Sequence, residues 1–121
     1  MKITVRHQDD VVVAELQGRL NIGAGDEDLR QLVDNLLADG HRRILLDLSQ
    51  VPSIDSSGIG ELVASLKVTR ELNGQLKILS LPEGIRHVLG MAQILPMFEV
   101  YKSESEALAS FETTARDGAE L

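Results

Sequence analysis

The chain has no cysteine and no tryptophan, and only two phenylalanines and one tyrosine occur among its 121 residues. Without cysteine it forms no disulfide bond, no thiolate metal site and no thiol nucleophile. The scarcity of aromatic rings predicts an aliphatic core and disfavours a surface on which bases or sugars stack. Sequences without disulfides are typical of a reducing compartment.

Basic residues are in the minority, with 12 Lys and Arg against 19 Asp and Glu and a net charge of −7. Such a charge repels phosphate polymers, so direct binding to nucleic acid is not expected. No apolar run approaches the roughly 20 residues that span a bilayer, and the first residues lack the apolar stretch of a signal peptide. We therefore expect a single acidic cytoplasmic domain, without membrane insertion.

Hydrophobic periodicity predicts an α/β fold with the element order β-β-α-β-α-β-α-β-α. Ile3, Val5 and His7 alternate with polar residues, and an apolar strand at 11–16 follows the polar turn at 8–10, so a hairpin is expected. The later alternation of strands and helices predicts a mixed sheet of about five strands with about four helices. We expect a single domain over 1–121, with a core at about 2–112 and a frayed tail at 113–121.

The most regular helical pattern begins at Asp26, the predicted N-cap, and runs to about Asp39, with Gly40 as its stop. Its apolar residues recur at helical spacing and are Leu29, Leu32, Val33, Leu36 and Leu37. A strand at 44–48 is apolar on both sides apart from Asp47, which predicts a central position.

The later elements are expected to be shorter. They are a strand at 76–79, a helix at 83–92, a strand at 98–101 and a helix after Ser103. The helix at 83–92 is expected to bury Ile85, Val88 and Leu89.

The sequence at 51–60, Val-Pro-Ser-Ile-Asp-Ser-Ser-Gly-Ile-Gly, lies where a strand is expected to turn into a helix. Such loops often carry the chemistry of α/β sheets. Ser56 would lie beside the unpaired N–H groups of the helix, where negative charge is tolerated. The pattern is typical of a phosphorylation site, but the residues alone favour an ordinary helix cap.

The helix after this turn has apolar residues on two sides at about 100° per residue. The side expected to face the sheet carries Ile59, Leu62, Val63, Leu66 and Arg70. The nearly opposite side carries Ala64, Val68 and Leu72, a stripe that forms either a partner surface or ordinary apolar residues covered by a neighbouring helix.

No catalytic set or metal site is evident. His7, His41 and His87 fall on separate predicted elements, so they argue neither for a hydrolase triad near Ser56 nor for a metal centre. We therefore expect a chain that is not an enzyme and holds no cofactor.

The segment 45–60, Leu-Leu-Asp-Leu-Ser-Gln-Val-Pro-Ser-Ile-Asp-Ser-Ser-Gly-Ile-Gly, resembles the signature of STAS domains, the family of bacterial anti-sigma factor antagonists. The likeness continues through 72–79, the short helix around Ile85 and Arg86, and 91–98. It extends over residues 2–112, with the strand and helix order of the family.

The resemblance implies that Ser56 is phosphorylated by a partner, an anti-sigma factor with serine kinase activity. The unmodified antagonist would bind this partner and free a sigma factor, and the phosphorylated form would dissociate until a serine phosphatase resets it. ATP and Mg²⁺ would belong to the kinase. The implied loop around the phosphorylated serine comprises Asp55, Ser57, Gly58, Gly60 and Asn21, and the implied partner contact comprises Ile59, Ala64, Val68 and Leu72.

One stretch departs from the family pattern, in which Gly-Glu-Leu-Asp is common. This chain has Gly18-Arg19-Leu20-Asn21, which reverses one charge and removes another. If the family's aspartate orients the serine or its kinase, we expect Ser56 of this chain to be phosphorylated more weakly or by another kinase.

Two other functions stay open. One is a non-switching accessory subunit of a lipid-trafficking ABC transporter, in which Ser56 and Ser57 would contact the ATPase subunit. The other is a small-molecule or nucleotide sensor. A homodimer also stays open, since a first strand at the sheet edge is able to pair with a second copy.

Overall fold

Five strands lie side by side in the order in which they occur in the chain, in a computed structural model that describes residues 1–111. They are β1 (Lys2–Gln8), β2 (Val11–Gln17), β3 (Arg43–Gln50), β4 (Gln75–Leu79) and β5 (Val100–Tyr101). β1 and β2 form an antiparallel hairpin, and the remaining neighbours are parallel. The predicted mixed sheet is confirmed, and the predicted tail at 113–121 lies outside the described residues.

Within residues 1–111, four α-helices cover the two faces of the sheet. They are α1 (Gly25–Ala38), α2 (Ser56–Glu71), α3 (Glu83–Met91) and α4 (residues 104–111). The first three occupy the crossovers between parallel strands, and their buried side chains share one core with strand residues such as Val12, Leu46 and Ile78. α4 covers the other face, where Ala107 and Phe111 pack in a second cluster. The predicted element order is confirmed.

Both faces of the central strands are buried because helices lie on each side. Residues 11–14 of β2 and 44–46 of β3 are at most 4% exposed. This burial explains why these segments are continuously apolar instead of alternating. The central position predicted for the strand at 44–48 is confirmed, since β3 lies between β2 and β4.

The start of α1 differs from the prediction. Asp26 is not its N-cap, because the helix already begins at Gly25, and the Asp26 carboxylate accepts a hydrogen bond from the N–H of Gly23 at 2.9 Å. A Cβ at Gly25 would fall 2.1 Å from the carbonyl oxygen of Arg19. Close packing therefore determines the first turn. The predicted stop is confirmed, with Gly40 at φ +92°.

The face of α2 that meets the sheet is also rotated from the predicted one. Its buried residues are Gly58, Leu62, Ser65, Leu66 and Thr69. Ile59 and Val63 are only half-buried. Arg70 was wrongly placed on this face, since it is exposed and donates a hydrogen bond to the carbonyl oxygen of Met97 at 3.0 Å. Three small residues line the buried side, and a search for hydrophobic periodicity does not detect them.

Two smaller expectations in the last third of the chain were wrong. Val88 of α3 is 36% exposed, while Ile85 and Leu89 are buried as predicted. β5 contains only Val100 and Tyr101, because a short 3₁₀ helix at Leu95–Met97 precedes it. The proline in that helix lacks an N–H group and cannot extend a strand's hydrogen-bond ladder.

α4 is attached to the rest of the fold by polar contacts as well as by its apolar side. The Arg6 guanidinium of β1 binds the Glu104 carboxylate through two N–H groups, with Nη1 and Oε2 3.0 Å apart. This contact holds the pKa of Glu104 below its ordinary value. Near the other end of the helix, the buried Lys77 donates to the hydroxyl of Ser110 at 2.9 Å, and its ammonium lies 4.7 Å from the centre of the Phe111 ring.

Candidate functional site

The loop that follows β2 runs alongside the loop that follows β3. Leu20 and Ile54 form a parallel bridge. The N–H of Leu20 donates to the carbonyl of Ser53 at 3.1 Å, and the N–H of Asp55 donates to the carbonyl of Leu20 at 3.2 Å. These bonds hold the loop that leads into the predicted phosphorylation site against the loop that follows β2.

Two glycines allow α1 and α2 to start at this same point. A Cβ at Gly58 would fall 2.0 Å from the Leu20 carbonyl oxygen, and a Cβ at Gly25 would fall 2.8 Å from the Leu20 Cα atom. Real Cβ atoms essentially never come so close to backbone atoms. Gly60, by contrast, has nothing within 4 Å of its would-be Cβ. The N-termini of two helices therefore converge on the backbone of Leu20.

The Asp55 carboxylate joins these two helix starts. Its Oδ1 accepts from the N–H of Gly58 at 2.9 Å and so caps α2, while its Oδ2 accepts from the N–H of Ile22 at 3.0 Å. These backbone hydrogen bonds, with that of Gly58 the stronger, hold the pKa of Asp55 below its ordinary value. One side chain thus caps the helix and fixes the loop after β2.

The lowered pKa of Asp55 predicts a specific pH dependence of stability. A carboxylate with a depressed folded pKa contributes stability that is fully present above its ordinary pKa of 3.8 and is lost as the pH falls through the lower folded value. We expect Asp55→Asn to unfold at a lower urea concentration than the wild type at neutral pH. The difference should narrow below about pH 4.

Urea unfolding curves of both proteins across this pH range would measure the effect, since other carboxylates titrate equally in both. A difference that stays constant into strong acid would contradict the role given to the Asp55 carboxylate.

Ser56 is the first residue of α2, and it is exposed. Within residues 1–111 its hydroxyl makes no hydrogen bond, because Asp55 and not Ser56 caps the helix. Ser57, the next residue, is half-buried. The two interpretations of the sequence therefore apply to different residues: the capping residue is Asp55, and the accessible hydroxyl is that of Ser56.

The loop opposite Ser56 contains an exposed apolar residue that the sequence analysis did not single out. Ile22 is 72% exposed, although its backbone is held by Asp55. Its neighbour Asn21 is half-buried and accepts the N–H of Asp26 at its carbonyl oxygen, 3.1 Å away. The sequence did contain a signal for this exposure. Ile22 lies in a glycine-rich stretch, where no predicted helix or strand would bury it.

A family model of the STAS domain matches residues 2–107. The chain belongs to the STAS domain family. BtrV of Bordetella bronchiseptica, by name a candidate anti-sigma factor antagonist, is 32% identical over 113 residues, which cover 93% of this chain and 97% of BtrV. The relatives of this STAS domain thus include a protein that is named as a candidate anti-sigma factor antagonist.

Solved structures agree with this assignment. The crystal structure of TM1081 from Thermotoga maritima, also named as a candidate anti-sigma factor antagonist, has a TM-score of 0.82 at 30% identity, covering 89% of this chain and 92% of TM1081. The phosphorylated form of the Bacillus protein SpoIIAA has a TM-score of 0.70 at 20% identity, covering 91% and 99%. The likeness to SpoIIAA shows that the two proteins share a fold.

The structure of this STAS domain brings some of the predicted site residues together. Asn21, Asp55, Ser56, Ser57 and Gly58 lie around the start of α2, as the hydrogen bonds and contacts of both loops require. The predicted contact residues, in contrast, extend along the helix. Leu72 follows the last residue of α2, about 24 Å from Ser56 at 1.5 Å per residue.

The four predicted contact residues also differ in exposure. Ala64 is exposed and Leu72 is 44% exposed. Ile59 and Val68 are half-buried and pack in part against the main core. The outer stripe of Ala64, Val68 and Leu72 is therefore interrupted at Val68, and Ala64 is its member closest to Ser56.

Two further findings concern the part of the chain that the structure describes. None of its helices is long and apolar enough to cross a membrane. None of its groups of three or more His, Asp or Glu residues has a geometry that would hold a metal ion.

Proposed function

We propose that this STAS domain is a cytoplasmic anti-sigma factor antagonist that is switched by phosphorylation of Ser56. In its unmodified form it binds an anti-sigma factor with serine kinase activity, and the sigma factor is released. The phosphorylated form dissociates, and a serine phosphatase restores it. The observation that carries the proposal is the exposed Ser56 hydroxyl at the start of α2, where it makes no hydrogen bond within residues 1–111.

The site supports a role as a substrate and not as a catalyst. The Ser56 oxygen would attack the γ-phosphorus of ATP held by the kinase, the bond to ADP would break, and the serine proton would pass to a base of the kinase. Phosphate, Mg²⁺ and base all come from the partner in this scheme. The chain contributes a hydroxyl on a rigid helix start.

Electrostatics explain how one phosphate would act as a switch without refolding the domain. A phosphoserine carries a charge of about −1.5 to −2 at neutral pH. The N-terminus of α2 stabilises this charge. The neighbouring Asp55 carboxylate repels it and is held in place, because both of its oxygens accept backbone hydrogen bonds. The main change is therefore in the potential of the surface that a partner meets.

The names of the relatives favour the same function. BtrV and TM1081 are both named as candidate anti-sigma factor antagonists, and SpoIIAA was solved in a phosphorylated form. We propose that the partner contact extends along α2 over Ile59, Ala64, Val68 and Leu72. It would begin at the residues around Ser56, which are the loop residues Asn21 and Asp55 and, in the first turns of α2, Ser57, Gly58 and Gly60. Because Asn21 is uncharged, we expect the kinase for this chain to differ from one that reads an aspartate there.

Phosphorylation is tested first on the protein purified from its native host. Intact-mass spectrometry with peptide mapping should find one phosphate, on Ser56. The partner is then captured with Ser56→Ala as bait and identified by its kinase domain and by its sigma factor. With that purified partner, Ser56→Ala should bind as tightly as the unmodified chain, and Ser56→Asp should bind at least about tenfold more weakly.

Ser57→Ala is the matched control, since it changes the adjacent hydroxyl of the same helix turn. It should bind the partner and accept phosphate as the wild type does. Equal binding by Ser56→Asp and the wild type would refute the switch. Phosphate found on Ser57 alone would move the site by one residue and refute the assignment to Ser56.

A further inference from the structure

β1 is a long free edge of the sheet. Within the described residues it pairs only with β2, and all seven of its residues take part in that ladder. The opposite edge, β5, has only two residues. An unpaired strand edge presents N–H and C=O groups that are able to bind another strand.

The hairpin register determines which backbone groups of β1 point outward. Gln8 and Val11 face each other across the two-residue turn at 9–10, and such a closing pair exchanges both hydrogen bonds. Bonded and non-bonded pairs then alternate along an antiparallel ladder. The inward-bonded residues of β1 are Lys2, Thr4, Arg6 and Gln8. The residues whose N–H and C=O groups point outward are Ile3, Val5 and His7.

We propose that β1 pairs antiparallel with the β1 of a second copy of this chain, about a two-fold axis at Val5. In this register Val5 faces Val5 of the other copy, and Ile3 faces His7. Each of these facing pairs exchanges two backbone hydrogen bonds, because all three residues have outward groups. The two sheets then become continuous across the axis.

The charges of β1 select this register over its neighbours. In the proposed register Lys2 faces Gln8 and Arg6 faces Thr4, so like charges never lie directly opposite each other. A shift of one residue from this register would place outward groups opposite inward groups. The nearest alternative registers are therefore those shifted by two residues. A shift in one direction places Lys2 opposite Arg6, and a shift in the other places Arg6 opposite Arg6. Like charges directly opposite each other are destabilising, so both shifted registers are disfavoured.

The apolar content of the edge agrees with the pairing. Val5 is 40% exposed in the single chain and would be covered by its counterpart at the axis. β-branched side chains facing each other across strands stabilise sheets. α2 belongs to the crossover between β3 and β4, away from this edge, so pairing leaves both Ser56 hydroxyls accessible. The proposal therefore does not depend on the proposed function.

The test uses the full chain in sedimentation equilibrium over a wide range of protein concentration. The wild type should follow a monomer–dimer equilibrium. Val5→Lys places two ammonium groups at the axis and should weaken the dimer by roughly tenfold or more. Val88→Lys is the matched control, because Val88 is also a partly exposed valine, at 36%, and the charge change is the same. It should dimerise as the wild type does.

Amide hydrogen exchange supplies a second measurement that does not depend on a variant. The amides of Ile3, Val5 and His7 should become protected in concentrated protein, while those of Thr4 and Arg6 are already protected by β2 at every concentration. A wild type that stays monomeric throughout would overturn the proposal. So would a dimer that Val5→Lys and Val88→Lys weaken equally, or one that leaves the three outward amides unprotected.

Discussion

Gly58→Ala is expected to lower the free energy of unfolding by about 1–3 kcal/mol, the usual cost of adding a methyl-sized group to a site that is already filled. The added methyl group would fall 2.0 Å from the Leu20 carbonyl oxygen, which is part of the bridge between the two loops. Neither that backbone nor the helix start is able to move away without breaking hydrogen bonds to Asp55.

Gly60→Ala is the matched control two residues further along α2. Nothing lies within 4 Å of its would-be Cβ, so alanine should stabilise the helix by up to about 1 kcal/mol. Urea unfolding of both variants measures the two effects, and they should have opposite signs. Equal stability of Gly58→Ala and the wild type would contradict the close approach of α2 to Leu20.

Phe111→Ala should cost about 3–5 kcal/mol, the usual range for removing a buried aromatic side chain. Phe111 is fully buried and is the largest apolar residue of the cluster between α4 and the sheet. Its ring also covers the ammonium group of the buried Lys77, 4.7 Å from the ring centre. Replacing Phe111 by alanine would therefore leave a cavity, and this cavity would lie beside the charged ammonium group of Lys77.

Phe111→Leu is the control, because it keeps an apolar side chain and should cost less than about 1.5 kcal/mol. Chemical denaturation gives the free energies, and amide exchange shows where protection is lost. The loss in Phe111→Ala should be largest in α4. If the alanine variant were as stable as the leucine variant, the second cluster would contribute little to the fold.

Much of the fold was predictable because its elements follow from local patterns. The apolar run of β3 and the helical stripe of α1 reflect burial on two faces and on one face, which periodicity detects directly. The alternation in β1 predicted a strand correctly, although Ile3 is half-buried and Val5 and His7 are exposed. The features that were missed depend on contacts between distant segments. Gly25 and Gly58 are in contact with the Leu20 backbone, and a sequence shows a glycine without showing what lies against it.

The candidate site was predictable in part for the same reason. The turn at 51–60 has a local signature, and the structure places Asp55 as the cap and Ser56 as the exposed hydroxyl. The second bond of Asp55, to the N–H of Ile22, joins residues 33 positions apart. Nothing local to either loop indicates it. The exposure of Ile22, in contrast, had a local signal, because this residue lies in a glycine-rich stretch outside any periodic element.

The agreement between strand order and chain order has a consequence for how the domain assembles. Each βα unit adds its strand next to the one made just before it, so every pairing in the sheet joins strands that are neighbours in the chain. The β1–β2 hairpin closes a two-residue turn, whereas the parallel pairs, such as Val12 with Ile44, close longer loops at a higher cost in chain entropy. α4 is the exception, since Glu104 meets Arg6 across 98 positions. During synthesis the sheet is able to grow strand by strand as the chain emerges, while its second face stays open until α4 has left the ribosome.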